Sequence, residues 1–365
     1  MTTGARTVVR RAPGKLFVAG EYAVVEPGNE AILVAVDRYI TATVSAAVEP
    51  GTVVISSDLA PRALHRHWRD GRLAGGDGQL PPVESAIETV SDLLAERGLP
   101  APALHISLSS TLHERGRKYG LGSSGAVTVA SVAAVSAYCG LRLTPDERFR
   151  LALLACARID PKGSGGDLAA STWGGWIAYR APDRARVLDL ARSLGVQEAL
   201  RAPWPGFSVR RLPPPAGLDL QVGWTRSPAS TTALVSDLHR RPWRGSASHH
   251  RFVQATGGLV RAAVTALEAG DGPGLLREIR RARQELARLD DEVGLGIFTP
   301  ALTALCDAAE GVGGAAKPSG AGGGDCGIAL LDAGAPHDIS QVRQRWATAG
   351  VLPLPVRSAP EGIEE

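Results

Sequence analysis

Residues 118–127 read Lys-Tyr-Gly-Leu-Gly-Ser-Ser-Gly-Ala-Val, and this stretch decides which folds the chain can adopt. It follows an alternating segment at 103–109 that predicts a strand and a basic loop carrying Arg115, Arg117 and Lys118. It opens a helix of small residues predicted over 125–139. A glycine loop between strand and helix presents backbone N–H groups and a positive helix end to a phosphate chain, and leaves the Ser123 and Ser124 hydroxyls for a metal or phosphate oxygen. Gly120, Leu121, Gly122, Ser123, Ser124 and Gly125 are therefore candidate phosphate-binding residues. The same glycines match GxGxxG, but a dinucleotide site needs a following strand that ends in an acid about 20 residues on. Here the next element is a predicted helix, 145–158, with Asp146 in its first turn. A Walker A loop is absent, because the only Gly-Lys pair, Gly14-Lys15, is followed by Leu16; the HRD and DFG triplets of protein kinases are absent too.

Working outward, 7–11, 15–19, 31–36 and 40–48 read as strands, with Glu26-Pro27-Gly28-Asn29 as a turn. A second glycine cluster, Ala12-Pro13-Gly14-Lys15, brings a lysine into a strand that leads to Gly20-Glu21-Tyr22. Residues 71–82 read as a loop and 83–97 as a helix stopped by Gly98; Thr144 caps the helix at 145–158, with Asp146 and Glu147 in its first turn. A third cluster, Asp160-Pro161-Lys162-Gly163-Ser164-Gly165-Gly166-Asp167, breaks that helix and reads either as a flexible connection with Asp167 as a turn acceptor or as a loop placing that carboxylate where an acceptor group or Mg²⁺ must be held; 168–179 then reads as a strand. Proline-rich segments at 202–205 and 213–215 put a domain boundary at 212/213, giving domains 1–212 and 213–365. Beyond it come strands at 218–224, 326–331 and 352–356 and helices at 230–240, 247–268, 274–290, 300–310 and 339–349, an α+β pattern. The fourth cluster, Lys317 to Asp325, is too glycine-rich to be filler and implies close backbone approach.

Composition narrows the function. A chain of 365 residues with 44% hydrophobic and 21% charged content is a folded globular protein long enough for two domains. A charge balance of 40 − 37 = +3 argues against a dedicated nucleic-acid binder. Of the 40 cations only Lys15, Lys118, Lys162 and Lys317 are lysines, each near a glycine cluster, so each is a candidate for a site needing a compact, rotatable charge. The four cysteines form no CxxC pair, which disfavours a zinc ribbon or a disulfide framework. No secretion signal or apolar run of membrane-spanning length is seen, so a cytoplasmic protein without a membrane partner is expected. His65-x-His67 reads as a surface pair in a loop, and Arg240, Arg241, Arg244, His249, His250 and Arg251 as a solvated basic loop.

Taken together, the four clusters resemble the GHMP superfamily of small-molecule kinases, named for galactokinase, homoserine kinase, mevalonate kinase and phosphomevalonate kinase. The likeness lies in APGKLFVAGEYAVV, KYGLGSSGAVTVA, GSGGDLAASTWGG and KPSGAGGGDCGIAL, in that order, and spans about residues 10–331. It implies the GHMP kinase fold, with an N-terminal ribosomal-S5-like βα domain, a C-terminal ferredoxin-like α+β domain and a site between them. It also implies that Lys118 and Gly120 to Gly125 bind ATP, with Mg²⁺ at Ser123 or Ser124, and that Lys15 and Asp167 face the transferring phosphoryl group. Glu21, Tyr22, Lys162, Ser164, Gly165 and, from the other domain, Lys317, Ser319, Gly320, Ala321 and Gly322 are implied to border the acceptor. KYGLGSSG, the lysine of DPKGSGGD, PASTTALV at 228–235 and GAGGGDCG are most similar to the bacterial phosphomevalonate kinase branch, which implies 5-phosphomevalonate as acceptor. Mevalonate kinase activity, or a non-catalytic metabolite sensor on the same fold, are the alternatives. A phosphorylated acceptor brings extra negative charge, and Lys162 supplies a cation beside Asp167. Because such a phosphate is largely a dianion at neutral pH, Asp167 is expected either to orient the acceptor or to act as base.

Overall fold

A computed structural model of the chain describes residues 6–76, 78–114, 116–228, 234, 238 and 243–363. Among these residues the first half is built on an eight-stranded sheet. The strands Val8–Ala19 and Glu30–Ser45 form its long antiparallel pair, and each joins two segments that the sequence reads as separate strands. The break within the first is a register shift between Pro13 and Gly14, as expected where proline removes a ladder donor. From Glu30–Ser45 the sheet continues through Leu104–Ser110, Thr52–Ser57, Leu64–Arg69 and Arg72–Ala74 on one side, and Trp176–Arg180 and Ser208–Leu212 on the other. All these pairings are antiparallel except that of Thr52–Ser57 with Leu104–Ser110.

The helices Pro81–Glu96, Ser123–Tyr138 and Pro145–Ile159 pack on one another and on this sheet. Ser123–Tyr138 buries residues on every face, and its run of Ala, Ser and Val lets five neighbouring elements approach closely. Thr144 closes the expected cap as a full capping box with Glu147.

The second half carries a four-stranded antiparallel sheet in the order Ala315–Pro318, Cys326–Asp332, Leu218–Trp224, Leu352–Leu354. The helices Ala247–Ala269 and Gly272–Val293 form a hairpin turned by left-handed Gly270, and Pro300–Glu310 and Pro336–Thr348 enclose Trp346. One buried core runs from the first sheet into the second half, and a smaller cluster joins Tyr22 and Ala23 to Phe252, Leu286, Ile297 and Ala321. The tail then returns to the first half: Ala359 N–H donates to Ala35 O at 2.9 Å, and Asp37 N–H to Arg357 O at 3.0 Å.

Several expectations need correction. The segment 168–179 is not one strand: helix Gly166–Trp173 comes first and strand Trp176–Arg180 follows, because left-handed Gly165 starts a helical turn that the β-rich composition of the segment conceals. His65 and His67 lie on the strand Leu64–Arg69 rather than in a loop, both exposed, with Arg66 turned inward between them. The 71–82 loop contains the short strand Arg72–Ala74, and the proline-rich approach to 212 is preceded by two unanticipated helices, Arg184–Leu194 and Val196–Arg201. Most of the expected helix at 230–240, of which only 234 and 238 are described, both helical, most of the 228–235 motif, and Arg240 and Arg241 lie outside the described residues. No helix among the described residues is long and apolar enough to cross a membrane.

Candidate active site

Lys15 reaches the glycine loop because its strand bends just before it. At the Pro13/Gly14 register shift, Lys15 N–H donates to Leu121 O at 2.8 Å. A Cβ on Gly14 would stand 2.8 Å from that carbonyl and 2.6 Å from Leu112 Cδ2, so only glycine lets the strand lie this close to the loop. The lysine side chain then passes Gly122, with Cε 2.9 Å from where a Cβ would be, and its Nζ lies 5.2 Å from the Phe17 ring centroid.

The loop places two glycines in the left-handed region, Gly120 and Gly122, at φ of 82° and 76°. Gly122 is the N-cap of helix Ser123–Tyr138, and no side chain caps that helix end. Its first N–H groups are thus left for a ligand, beside Ser123 and Ser124. Asp325, from the fourth glycine cluster, packs directly on Gly120. Lys118 is exposed on the two-residue strand Arg117–Lys118, paired with His113–Glu114.

Asp167 stands in the first turn of helix Gly166–Trp173, behind left-handed Gly165. Its Oδ2 lies 2.5 Å from the position of a Cβ on Gly125. Lys15 and Asp167 therefore flank one loop, the cation against Gly122 and the carboxylate against Gly125, although they are 152 positions apart in the chain. Burial, with Asp167 and Asp160 adding to it, pushes the neighbouring Cys156 thiol up to about 12, so it stays protonated.

A cleft opens between the halves, and Phe17, whose ring centroid lies 5.2 Å from Lys15 Nζ, links it to this loop. Its apolar wall is Phe17, Val24 and Val25; its polar rim is Asp160, Lys162 and Ser164; Glu21 and Tyr22 face Gly320 and Ala321 across it. Lys162 is exposed, and its N–H donates to Asp160 Oδ1 at 2.9 Å, which turns the loop at its base. Tyr22, held at φ 61°, donates from its hydroxyl to Ala321 O at 2.5 Å, and burial raises its pKa well above the ordinary phenol value.

Four residues expected on the acceptor side are placed otherwise. Lys317 is fully buried, with its ammonium bonded to the Glu21 carboxylate and, at 2.7 Å, to Pro318 O, so no face of it meets the cleft. The Ser319 hydroxyl is engaged by the strand Val8–Ala19, accepting from Phe17 N–H at 2.8 Å and donating to Phe17 O at 3.1 Å. Gly322 is packed against Ile297, and Gly165 lies under Leu153 and Tyr179. These four join or support the walls, while Gly320 and Ala321 form one. Phe17, Val24, Val25 and Asp160 were not among the expected acceptor residues. Asp160, next to Pro161 and Lys162, had a local signal; the apolar three read only as strand and turn residues.

Among the described residues no three His, Cys, Asp or Glu side chains come together as a metal cage. The oxygen donors at the loop include Asp167, Asp325 and the Ser123 and Ser124 hydroxyls; Asp167 with the two hydroxyls suits a small hard cation taking its remaining ligands from phosphates and water.

Residues 83–175 match the GHMP kinases N terminal domain and residues 263–349 the GHMP kinases C terminal domain. The chain is 73% identical, over the full length of both chains, to a phosphomevalonate kinase of Streptomyces sp. strain CL190. Among solved structures it is similar to the Lin0012 protein from Listeria innocua, with 32% identity, a TM-score of 0.90 and coverage of 99% of this chain and 100% of that one. It is also similar to Streptococcus pneumoniae phosphomevalonate kinase in complex with phosphomevalonate and AMPPNP, with 28% identity, a TM-score of 0.84 and coverage of 96% and 99%.

Proposed function

The chain belongs to the GHMP kinases, and from that membership we propose that it transfers the γ-phosphoryl group of ATP to (R)-5-phosphomevalonate, giving ADP and 5-diphosphomevalonate in the mevalonate route to isoprenoids. The observation that carries this reading is the meeting of Lys15 and Asp167 on one uncapped glycine loop beside a cleft that bears Lys162. The likeness to phosphomevalonate kinases along the whole chain supports the choice of acceptor.

The reaction forms a bond from an acceptor phosphate oxygen to the γ-phosphorus and breaks the bond from that phosphorus to the departing ADP oxygen. Positioning and neutralisation of charge supply most of the catalysis in such a transfer. Gly120 to Gly125 hold the ATP phosphates through backbone N–H groups, with Lys118 at the loop's entrance. Lys15 offsets charge on the transferred group from the Gly122 side. An acceptor phosphate with a second pKa near ~6 is mostly dianionic at neutral pH, so no proton need be removed, and Asp167, whose carboxylate like that dianion only accepts hydrogen bonds, would act by helping to hold Mg²⁺. Mg²⁺, when bound with ATP, neutralises phosphate charge; Ser123, Ser124 and Asp167 are the residues that would hold it. In the cleft, Phe17, Val24 and Val25 would take the carbon chain and Lys162 the existing phosphate, with Glu21, Tyr22, Ser164, Gly320 and Ala321 completing the walls.

The test is ADP release from purified protein with Mg²⁺-ATP and, separately, 5-phosphomevalonate, mevalonate or buffer, with product mass recorded. Turnover with 5-phosphomevalonate alone and a mass gain of one phosphate is expected. Turnover with mevalonate alone would reassign the acceptor, and no turnover with either would favour a sensor. In Lys162→Ala the KM for 5-phosphomevalonate should rise by roughly tenfold or more while the KM for ATP stays close to that of the parent.

A further inference from the structure

Two buried side chains stand directly behind the cleft, and neither belongs to a glycine cluster. Arg184 opens the helix Arg184–Leu194 and is 7% exposed. All of its hydrogen bonds go to backbone carbonyls: Nη2 donates to Val25 O at 2.6 Å, Nη1 to Pro182 O at 3.0 Å, and Nε reaches Pro161 O at 3.5 Å. Val25 is part of the apolar wall, and Pro161 sits between Asp160 and Lys162 on the polar rim. One guanidinium thus spans the back of two cleft walls that are more than 130 positions apart in sequence. Tyr179, fully buried, donates from its hydroxyl to Ser164 O at 2.6 Å, at the other end of the same exposed loop.

The loop needs such anchors. Residues 161–163 are exposed, and Gly163 meets little around it, so Lys162 has no packing of its own to hold it toward the cleft. A buried arginine is costly to desolvate, and burial pulls its pKa down here; donation to carbonyls in three directions offsets that cost. The planar fork matters because an ammonium carries the same charge but cannot hold two walls at fixed separation.

We propose that Arg184 is a positioning residue for the phosphorylated acceptor, tying the Val24–Val25 turn to the Lys162 loop across the back of the cleft, with Tyr179 fixing the loop's far end. The proposal rests on the reading of this cleft as the acceptor site. Arg184→Lys, Tyr179→Phe and Lys162→Ala are compared with the parent for kcat, both KM values and thermal midpoint. Arg184→Lys should raise the KM for 5-phosphomevalonate roughly fivefold or more, leave the KM for ATP within about twofold, and remain folded; Tyr179→Phe should do the same to a smaller degree. Equal rises in both KM values, or an unchanged acceptor KM in the folded variants, would overturn the proposal. Should Arg184→Lys fail to fold, Tyr179→Phe decides by the same split. An unchanged acceptor KM in Lys162→Ala would instead remove the acceptor-site reading; a rise there, with none in the other two variants, would remove only the role given to Arg184.

Discussion

Cε of Lys15 lies 2.9 Å from the point where a side chain on Gly122 would begin, so a side chain there would have to move the lysine as well as adopt a φ of 76°. The relationship ties a strand near the start of the chain to the glycine loop more than 100 positions later. It also makes Gly122 as specific a requirement as the lysine.

Gly122→Ala should therefore damage catalysis in two ways, by displacing Lys15 and by forcing a Cβ into φ 76°. A misplacement of about 1 Å at a reacting centre can cost ~10²-fold, and a fall of that order in kcat/KM for ATP is expected. Steady-state ATP titration checks it, and a variant within about threefold of the parent would remove the relationship.

Asp167→Asn keeps the shape that packs on Gly125 and removes the charge. Turnover should drop by at least ~10²-fold with an unchanged thermal midpoint if the carboxylate serves the transfer and not folding. Parent-like turnover would deprive Asp167 of that role.

The Glu21–Lys317 pair joins the two halves with side chains 3% and 0% exposed. Removing one partner of such a pair leaves a buried charge alone, at a cost of about 3–5 kcal/mol. Lys317→Met should lower the urea midpoint accordingly, and the double variant Glu21→Gln/Lys317→Met should recover much of the loss. Equal instability of the single and double variants would mean that packing, not the ion pair, dominates there.

His113 gives a pH signature. Burial, reinforced by the charge on Lys118 and opposed by Asp58, lowers its pKa below the ordinary 6.5, and its Nδ1 lies 2.6 Å from Ser110 Oγ. Below that ordinary value the unfolded chain binds a proton that the folded chain resists, so stability from this group is present above it and lost as pH falls toward the folded pKa. The thermal midpoint should decline as pH is lowered from about 7 to about 5.5, and His113→Gln should flatten part of that decline.

The sequence was informative where chemistry is local. Thr144 and Glu147 announce a helix start because their side chains bond backbone groups within three residues. The strand Leu218–Trp224 and the helix Pro300–Glu310 lie where their hydrophobic spacing predicts them. Local signals misled at 168–179, where Ser171, Thr172, Trp173 and Trp176 carry strand-like composition, yet Gly165 and packing against the strand Val8–Ala19 select a helix first. They were silent for Arg184, a lone arginine among 36 whose partners lie in distant turns.

By itself the sequence determined four glycine-bearing loops, the lysine or aspartate attached to each, and the GHMP order in which they occur. Those are properties of backbone freedom and residue type that act over a few positions. Tertiary structure alone decided that Lys15 and Asp167 flank the same loop, that Lys317 closes on Glu21 and not on the cleft, and that Arg184 binds the cleft walls from behind. Each of these joins residues from separate parts of the chain. Strand register and the burial of a shared core bring them together, and no short segment encodes either one.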